Sequence, residues 1–381
     1  MSAPSARFIE TVETEYQSGE IVYRCAGLSD DNALKQILRE TSMDAWVRLS
    51  QEHEPSYFSS VDLFGHRKAI IANIKDMTGS FVGMCSSVEM PVHINGKSMM
   101  AGYLGELRVM PAFRNRLRIV QNGFKSVQKL NDPLHQLNYW FTSIAKENQA
   151  ARRLLEANLK GMPNYQPQGE MVTYALSTRL AKDNACLQPA EVKDIPEIVK
   201  FYNHYASQYQ YSPVLNEEWL QSLDGSNGLH ISDFYLLKQD DRIQACFALW
   251  DQRSFKQTVV RGYRFPLNIL RGPYNISARL TKHVSLPAVD KQIDYIFIAF
   301  LAIAESANDE FDAVLRGALS LIQKRHASLG MLGLSSMNPN TAALTSYPTQ
   351  TYHTLIEQVS WPGQSSHVLD DLPVQPEIAV L

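Results

Sequence analysis

Four arginines and a glutamate crowd one short stretch of this chain. In Tyr103-Leu-Gly-Glu-Leu-Arg-Val-Met-Pro-Ala-Phe-Arg-Asn-Arg116, an apolar strand is stopped by Pro111 and followed by a basic turn. Arg114, Arg116 and Arg118 cluster where a helix over 117–130 is predicted to start. A helix N-terminus offers unpaired backbone N–H groups to an anion, and guanidinium forks add charge-assisted bonds of the kind phosphates accept. The helix dipole disfavours cations there, so three of them point to a ligand rather than to a plain solvated turn. Glu106, inside the strand, can take a proton from an ammonium group directly or through water. The competing reading is a structural ion pair with a neighbouring arginine. Arg108 alternates within the same strand and either points at a pocket or pairs with a carboxylate. Ser143 stands where strands would part around a cleft, and Asn148 is best read as a helix cap.

The elements that must hold these residues follow from periodicity. A strand is predicted over Ile21–Cys25, then a helix from Asn32 to about Met43, capped by Asp30 or Asp31, with Ala33, Leu34, Ile37 and Leu38 on one face. Trp46 to Val61 reads as a short second helix and loop. Arg67–Ile74 and Ser80–Val92 read as a hairpin turning at Asp76–Gly79. Ile94-Asn-Gly-Lys97 is a type I′ turn signal leading into a strand over Ser98–Met110. Beyond the basic turn come the helix Leu117–Leu130, a strand Asn138–Ile144, a helix Asn148–Leu159 with Gly161 as C-cap, and strands 162–165 and 170–177.

The second half echoes the first. Cys25 and Cys186 stand 161 residues apart, as do Cys85 and Cys246, whereas Ser143 and Ser335, and Asn148 and Asn340, stand 192 apart. The difference of 31 places an insertion in the second copy, at about Tyr263–Asp290. A strand near 184–190, helices from Asp194 and Asn216, and a hairpin 234–250 open this copy. A strand over 293–304, apolar as if buried on both faces, is followed by helix 310–328, strand 330–335, helix 340–346 and strand 351–360. Its strand-to-helix junction, Ala304–Glu310, has no glycine or arginine, and Glu305, Asp309 and Glu310 would repel a phosphate. Tyr202, Tyr205, Tyr209 and Tyr211 read as core ahead of a cleft lining. The expected division is residues 1–180 and 181–381.

With 381 residues, two domains each large enough for a core are expected. Apolar content of 45% with 20% charged residues describes a globular protein, and 36 basic against 39 acidic residues exclude a general nucleic-acid binder. No run approaches a membrane span, and Met1–Arg7 lacks the apolar core of a signal peptide, so a cytoplasmic protein without a membrane partner is expected. The four cysteines have no CxxC spacing and no basic partner at short range. Reduced core thiols, no metal site and no covalent intermediate are the expectation.

Together these motifs resemble the GNAT superfamily of acyl-CoA-dependent N-acyltransferases, over roughly residues 20–180 and more weakly by repeat thereafter. Val109, Pro111 and Arg114 match its V-x-P-x-x-R-G-x-G-x-G/A pattern, and Asn148, Ala151 and Leu154 match N-x-x-A-x-x-L-Y. Where the family has glycines this chain has Asn115, Leu117 and Ile119, and Leu155 replaces the tyrosine that often acts as general acid. The resemblance implies tandem mixed α/β domains, each a mostly antiparallel sheet flanked by helices. It implies an N-acyltransferase moving an acetyl or other acyl group from acyl-CoA to a small-molecule or peptide amine. Leu107, Val109, Arg114, Asn115, Arg116, Leu117, Arg118, Ile119 and Asn148 would hold coenzyme A, with the side chains of Leu117 and Ile119 turned into the core. Glu106 would be the base. Tyr347 stands at the second copy's general-acid position, although a packing tyrosine is the stronger reading there. A catalytically inactive acyl-CoA sensor or interaction module is the alternative, and a charged-tRNA donor a weaker one.

Overall fold

A computed structural model describes residues 15–42, 46–60, 63–77, 79–130, 137–157, 159–305, 310–363 and 367–381. The first half runs β1 (Glu15–Ser18), β2 (Ile21–Cys25), α1 (Asp31–Glu40), β3 (Val47–Glu52), β4 (His66–Ile74), β5 (Phe81–Ile94) and β6 (Lys97–Val109). It ends with α2 (Leu117–Leu130), β7 (Trp140–Ala145), α3 (Gln149–Leu155) and β8 (Asn164–Ser177). The second half runs β9 (Leu187–Pro189), α4 (Ile195–Ala206), α5 (Glu217–Gln221), β10 (Phe234–Gln239), β11 (Arg242–Trp250), β12 (Gln257–Tyr263) and α6 (Leu267–Leu280). It closes with β13 (Tyr295–Ile303), α7 (Phe311–Lys324), β14 (Leu329–Ser335), α8 (Thr341–Leu344) and β15 (Thr349–Ser360). Met43, Thr78 and residues 306–309, which include Asp309 of the expected acidic junction, lie outside the described residues.

Among the described residues, thirteen strands form one sheet in the order β1-β2-β4-β5-β6-β7-β15-β8-β14-β13-β11-β10-β9. Most pairs are antiparallel, and β6–β7 and β13–β14 are parallel. The halves exchange their last strands. β15 lies between β7 and β8, and β8 lies between β15 and β14, so each half completes the other's sheet. In the first half α1 covers one face through Leu34, Ile37 and Leu38, packed on Ile71 and Met84. Helix α2 covers the other through Ile119, Val120, Phe124 and Val127. In the second half α4 and the C-terminal segment take the face equivalent to that of α1, and α7 takes the opposite one.

The inserted segment is close to the length the spacing implied, since Met84 and Arg108 correspond to Cys246 and Ala302 and stand 162 and 194 residues before them, a difference of 32. The β5–β6 hairpin turns on Asn95 and Gly96 alone, both at positive φ as a type I′ turn requires, whereas residues 251–294 separate β11 from β13. That segment supplies β12, which pairs with β3 across some two hundred residues of sequence. Arg261 of β12 bonds to buried Glu52 of β3. Nothing local marks Val47–Glu52 as half of a ribbon, so the helix expected after Trp46 is a strand instead.

The cysteine spacing is out of register with the true repeat. In β5 and β6 the ladder passes from Met84↔Arg108 to Ser86↔Gly105, and in β11 and β13 from Cys246↔Ala302 to Ala248↔Ala299. Superposing these two bulges equates Cys85 with Phe247, not with Cys246. One residue of slip turns a side chain to the other face of a sheet. Cys85 accordingly packs on the α2 side, whereas Cys246 lies in the core under α4. Cys25 and Cys186 are exposed rather than core thiols. Asn148 and Asn340 do both stand at the N-cap of the helix after the parallel strand.

Candidate active site

A cleft opens where β6 and β7 part. They pair only from Gly102–Leu104 to Trp140–Thr142, and beyond that β6 runs on five residues while β7 runs on three. At the parting point Glu106 and Leu107 together oppose Cys85, and Glu106 has φ 53°. A bulge leaves one residue out of the ladder and re-aims its side chain. Positive φ in a non-glycine residue persists where its surroundings over-determine it. Here three polar groups hold its carboxylate. Tyr57 Oη donates to Glu106 at 2.6 Å, Arg67 Nη1 lies 3.2 Å from the carboxylate and His53 Nε2 lies 3.4 Å from it. Arg67 comes from β4, and His53 and Tyr57 from the segment that leaves the β3–β12 ribbon. Lys256, immediately before β12, bonds through Nζ to the Leu381 main-chain oxygen at 2.5 Å.

Burial sets the electrostatics of this cluster. It would raise the pKa of Glu106, but the Arg67 charge, His53 and Tyr57 outweigh it and hold the carboxyl well below its usual range. His53 is lowered by burial and stays neutral near pH 7, with Glu106 pulling the other way. Lys256 is brought down to about 8 by burial and the charge of Arg67. Glu106 is thus an ionised, paired carboxylate. The ion pair weighed against a catalytic role exists, and it makes Glu106 by itself a weak base.

From the end of β6 the chain enters a 3-10 turn at Pro111–Phe113 and then α2. Arg114, Asn115, Arg116, Leu117 and Arg118 are all exposed. Arg114 Nε folds back on the Val109 carbonyl at 3.2 Å, and the Arg116 guanidinium lies 5.3 Å from the centre of the Phe113 ring. The N–H groups of Arg114, Arg116 and Ile119 bond to carbonyls three residues earlier. No backbone acceptor is found among the described residues for those of Asn115, Leu117 and Arg118, which point out of the helix start as first-turn donors do. No residue from 110 to 119 has positive φ, so this loop does not need the conformational freedom of glycine. Ile119 is buried as expected, but Leu117 is 39% exposed. Two residues on, the helix meets the sheet, where Tyr23 Oη donates to the Ile119 carbonyl at 3.1 Å.

The second half has the same bulge with different chemistry. Phe300, at φ 52°, occupies the place of Glu106. Its backbone N–H donates to Glu377 Oε2 at 2.8 Å, and Ala379 N–H donates to Oε1 at 3.1 Å. The tail carrying Glu377 is packed into this half, and a Cβ on Gly333 would meet Ile378 at 2.5 Å. The bulge amide of this half is thus taken by a carboxyl group, whose pKa burial raises to about 7 while these N–H bonds pull the other way. In the first half, among the described residues, no side chain fills the corresponding place at the Glu106 N–H.

Other expected residues are placed as follows. Leu107 and Val109 pack on the α2 side of β6. Arg108 faces the α1 side, donates to the Leu107 carbonyl at 3.2 Å, and buries Nε without a partner among the described residues. Ser143 Oγ bonds with Tyr103 Oη at 2.8 Å in the cleft floor. Asn148 Oδ1 accepts from Ala151 N–H at 3.1 Å, so it caps α3. Tyr347 is not brought to Glu106. Its hydroxyl donates to Asp312, Arg316 stacks on its ring at 5.0 Å, and burial raises its pKa. It belongs to the core under α7. His53, Tyr57, Arg67 and Lys256 were not singled out by sequence. The arginine that opens the mostly apolar Arg67–Ile74 strand was the one available signal.

No family model and no curated protein matches the sequence. Solved structures do. The fold is similar to N-myristoyltransferase of Saccharomyces cerevisiae with bound myristoyl-CoA, at 9% identity and a TM-score of 0.59, covering 98% of this chain and 93% of that one. It is also similar to a GCN5-related N-acetyltransferase from Sphaerobacter thermophilus, at 13% identity and a TM-score of 0.54, covering 92% and 99%. At these identities the likeness establishes the fold, and the fold is that of two GNAT units in tandem, as the sequence motifs implied.

Proposed function

We propose that the first half binds an acyl-CoA and that the chain transfers its acyl group to an amine. The observation that carries this reading is the conjunction at one strand end: a bulge at Glu106, a cleft opening beside it, and a cationic helix start with outward N–H groups eight residues further on. The thioester of an acyl-CoA would supply the activated acyl group. Arg114, Arg116 and Arg118, with the amides of Asn115, Leu117 and Arg118, would hold its phosphates. The bulge amide would polarise the thioester carbonyl, as the equivalent Phe300 amide donates to a carboxyl oxygen of Glu377. Glu106 with neutral His53 would take the proton of the acceptor ammonium, the imidazole compensating for a carboxylate that is itself weakly basic. The fold of N-myristoyltransferase, solved with myristoyl-CoA, supports the donor class.

A second reading is a binding module that retains acyl-CoA without turnover, and the ion pair between Glu106 and Arg67 favours it. Calorimetric titration with coenzyme A and acyl-CoA thioesters tests the donor site, and acyl transfer to a panel of amines separates the two readings. Reversing charge at Arg114 (Arg114→Glu) is expected to weaken coenzyme A by about 2 kcal/mol, the scale of a charge-assisted contact. The melting temperature should barely move, since Arg114 is exposed. Equal affinity in both proteins removes the phosphate site from this loop.

A further inference from the structure

Helix α6 has its apolar face on the outside. Ile269, Pro273, Ile276 and Leu280 recur at i, i+4, i+7 and i+11, one stripe of a helix, which ordinarily rests on a core. Here Ile269 is 67% exposed, Ile276 65% and Leu280 82%, with Phe265 at 73% just before them and Trp46 at 63% beside them. Arg264 N–H bonds the Trp46 carbonyl at 3.0 Å, which ties that tryptophan to the helix start. The face turned inward is held by polar contacts. Asn275 exchanges bonds of 2.9 and 2.8 Å with Leu286, Tyr274 Oη donates to the Val284 carbonyl at 3.2 Å, and of the helix only Ala278 is buried. This arrangement is built to present the stripe.

Charge specifies what the stripe meets. From Arg264 to Val289 there are four cations, Arg264, Arg271, Arg279 and Lys282, and no acidic residue, in a chain of net charge −3. A helix that shows aliphatic and aromatic side chains on one face, flanked by arginine and lysine, matches the interface of an anionic bilayer. Fourteen residues span about 21 Å, too short to cross a membrane and suited to lying along one. The position also fits. Gln350, at the start of β15, bonds Tyr274, and Arg179 after β8 bonds the His283 carbonyl. Since β15 runs antiparallel to β7, its start lies on the sheet edge where β7 ends and the cleft opens.

We propose that α6 docks this edge of the molecule on an anionic lipid surface, whatever reaction the cleft performs. This departs from the expectation of no membrane partner. The test is co-sedimentation of the full chain with vesicles of phosphatidylglycerol and phosphatidylcholine in equal parts, against phosphatidylcholine alone. Binding is expected to the mixed vesicles only, weakening as salt is added. Arg279→Glu should weaken it at least about fivefold, the worth of one cation at such a surface. The triple variant Ile269→Ser, Ile276→Ser, Leu280→Ser should abolish it while leaving the thermal midpoint unchanged, because these side chains are exposed. Failure of the parent to bind mixed vesicles, or equal binding by parent and variants, overturns the proposal. So does a dimer in solution that the triple variant dissolves without any vesicle binding, since the stripe then belongs to a second copy.

Discussion

Glu106 carries the sharpest residue-scale question, because its environment supports both a base and a structural pair. Glu106→Gln keeps the shape and removes the proton acceptor. Turnover is expected to fall about 100-fold with coenzyme affinity retained. A variant that loses stability yet turns over normally once folded would make Glu106 an ion-pair partner only. The pH dependence has a definite sign. A carboxyl depressed below its ordinary 4.5 contributes stability above that value and loses it as pH falls through the folded pKa, so the variant should lack this acid limb. Glu357 behaves oppositely. Fully buried on β15, with both oxygens unpartnered among the described residues, it is raised to about 7 by burial and by Glu156, with Arg152 opposing. Its contribution is present below 4.5 and lost as pH rises through about 7. Glu357→Gln is therefore expected to raise the thermal midpoint near pH 8 and to leave it little changed at about pH 4. An equal gain at both pH values would show that the carboxyl is not titrating in the folded protein.

At the scale of elements, the two parallel strand pairs differ in what fills each bulge. β6 leaves its bulge amide without a side-chain acceptor among the described residues, whereas β13 has its bulge amide taken by Glu377 of the C-terminal segment. Glu377→Ala removes the acceptor of a buried N–H, at a cost of about 1–3 kcal/mol in denaturant titration. Coenzyme binding should remain at one equivalent with unchanged affinity. Two equivalents after this substitution would mean that the second half is only blocked, not built differently. The β3–β12 ribbon is the other decisive element, since the segment that leaves it brings His53 and Tyr57 to Glu106.

On the scale of the molecule, strand exchange makes the halves interdependent. Residues 1–180 alone would present the edges of β7 and β8 without β15 between them, and unpaired edges template aggregation. We expect this fragment to be insoluble or to bind no coenzyme when expressed alone, and to recover both properties when residues 181–381 are co-expressed. A soluble, binding-competent fragment would establish residue 180 as a true domain boundary and make the exchange dispensable.

The sequence by itself determined the local units. The type I′ turn at Asn95-Gly96, the bounds of α2, the cap at Asn148 and the basic turn after Pro111 depend on residues close together in the chain, and motif and periodicity reach them directly. The presence of two copies was legible too, but the cysteines that first marked it were misaligned by one residue in β5 and β11, a slip that only the paired ladders expose. Everything joined over long separations was decided by tertiary structure. The partner of β3 lies two hundred residues away, β15 crosses into the first half, and Glu377 returns to Phe300 from the far end of the chain. Arg67, His53 and Tyr57 are scattered in sequence and meet Glu106 only because a bulge turns it toward them. The outward stripe of α6 has the pattern of a buried helix, and only the fold shows that its inner side is already satisfied by Asn275 and Tyr274. Local propensity and spacing fix which elements form; which faces they bury depends on pairings that close loops of hundreds of residues, and no short window of sequence records those.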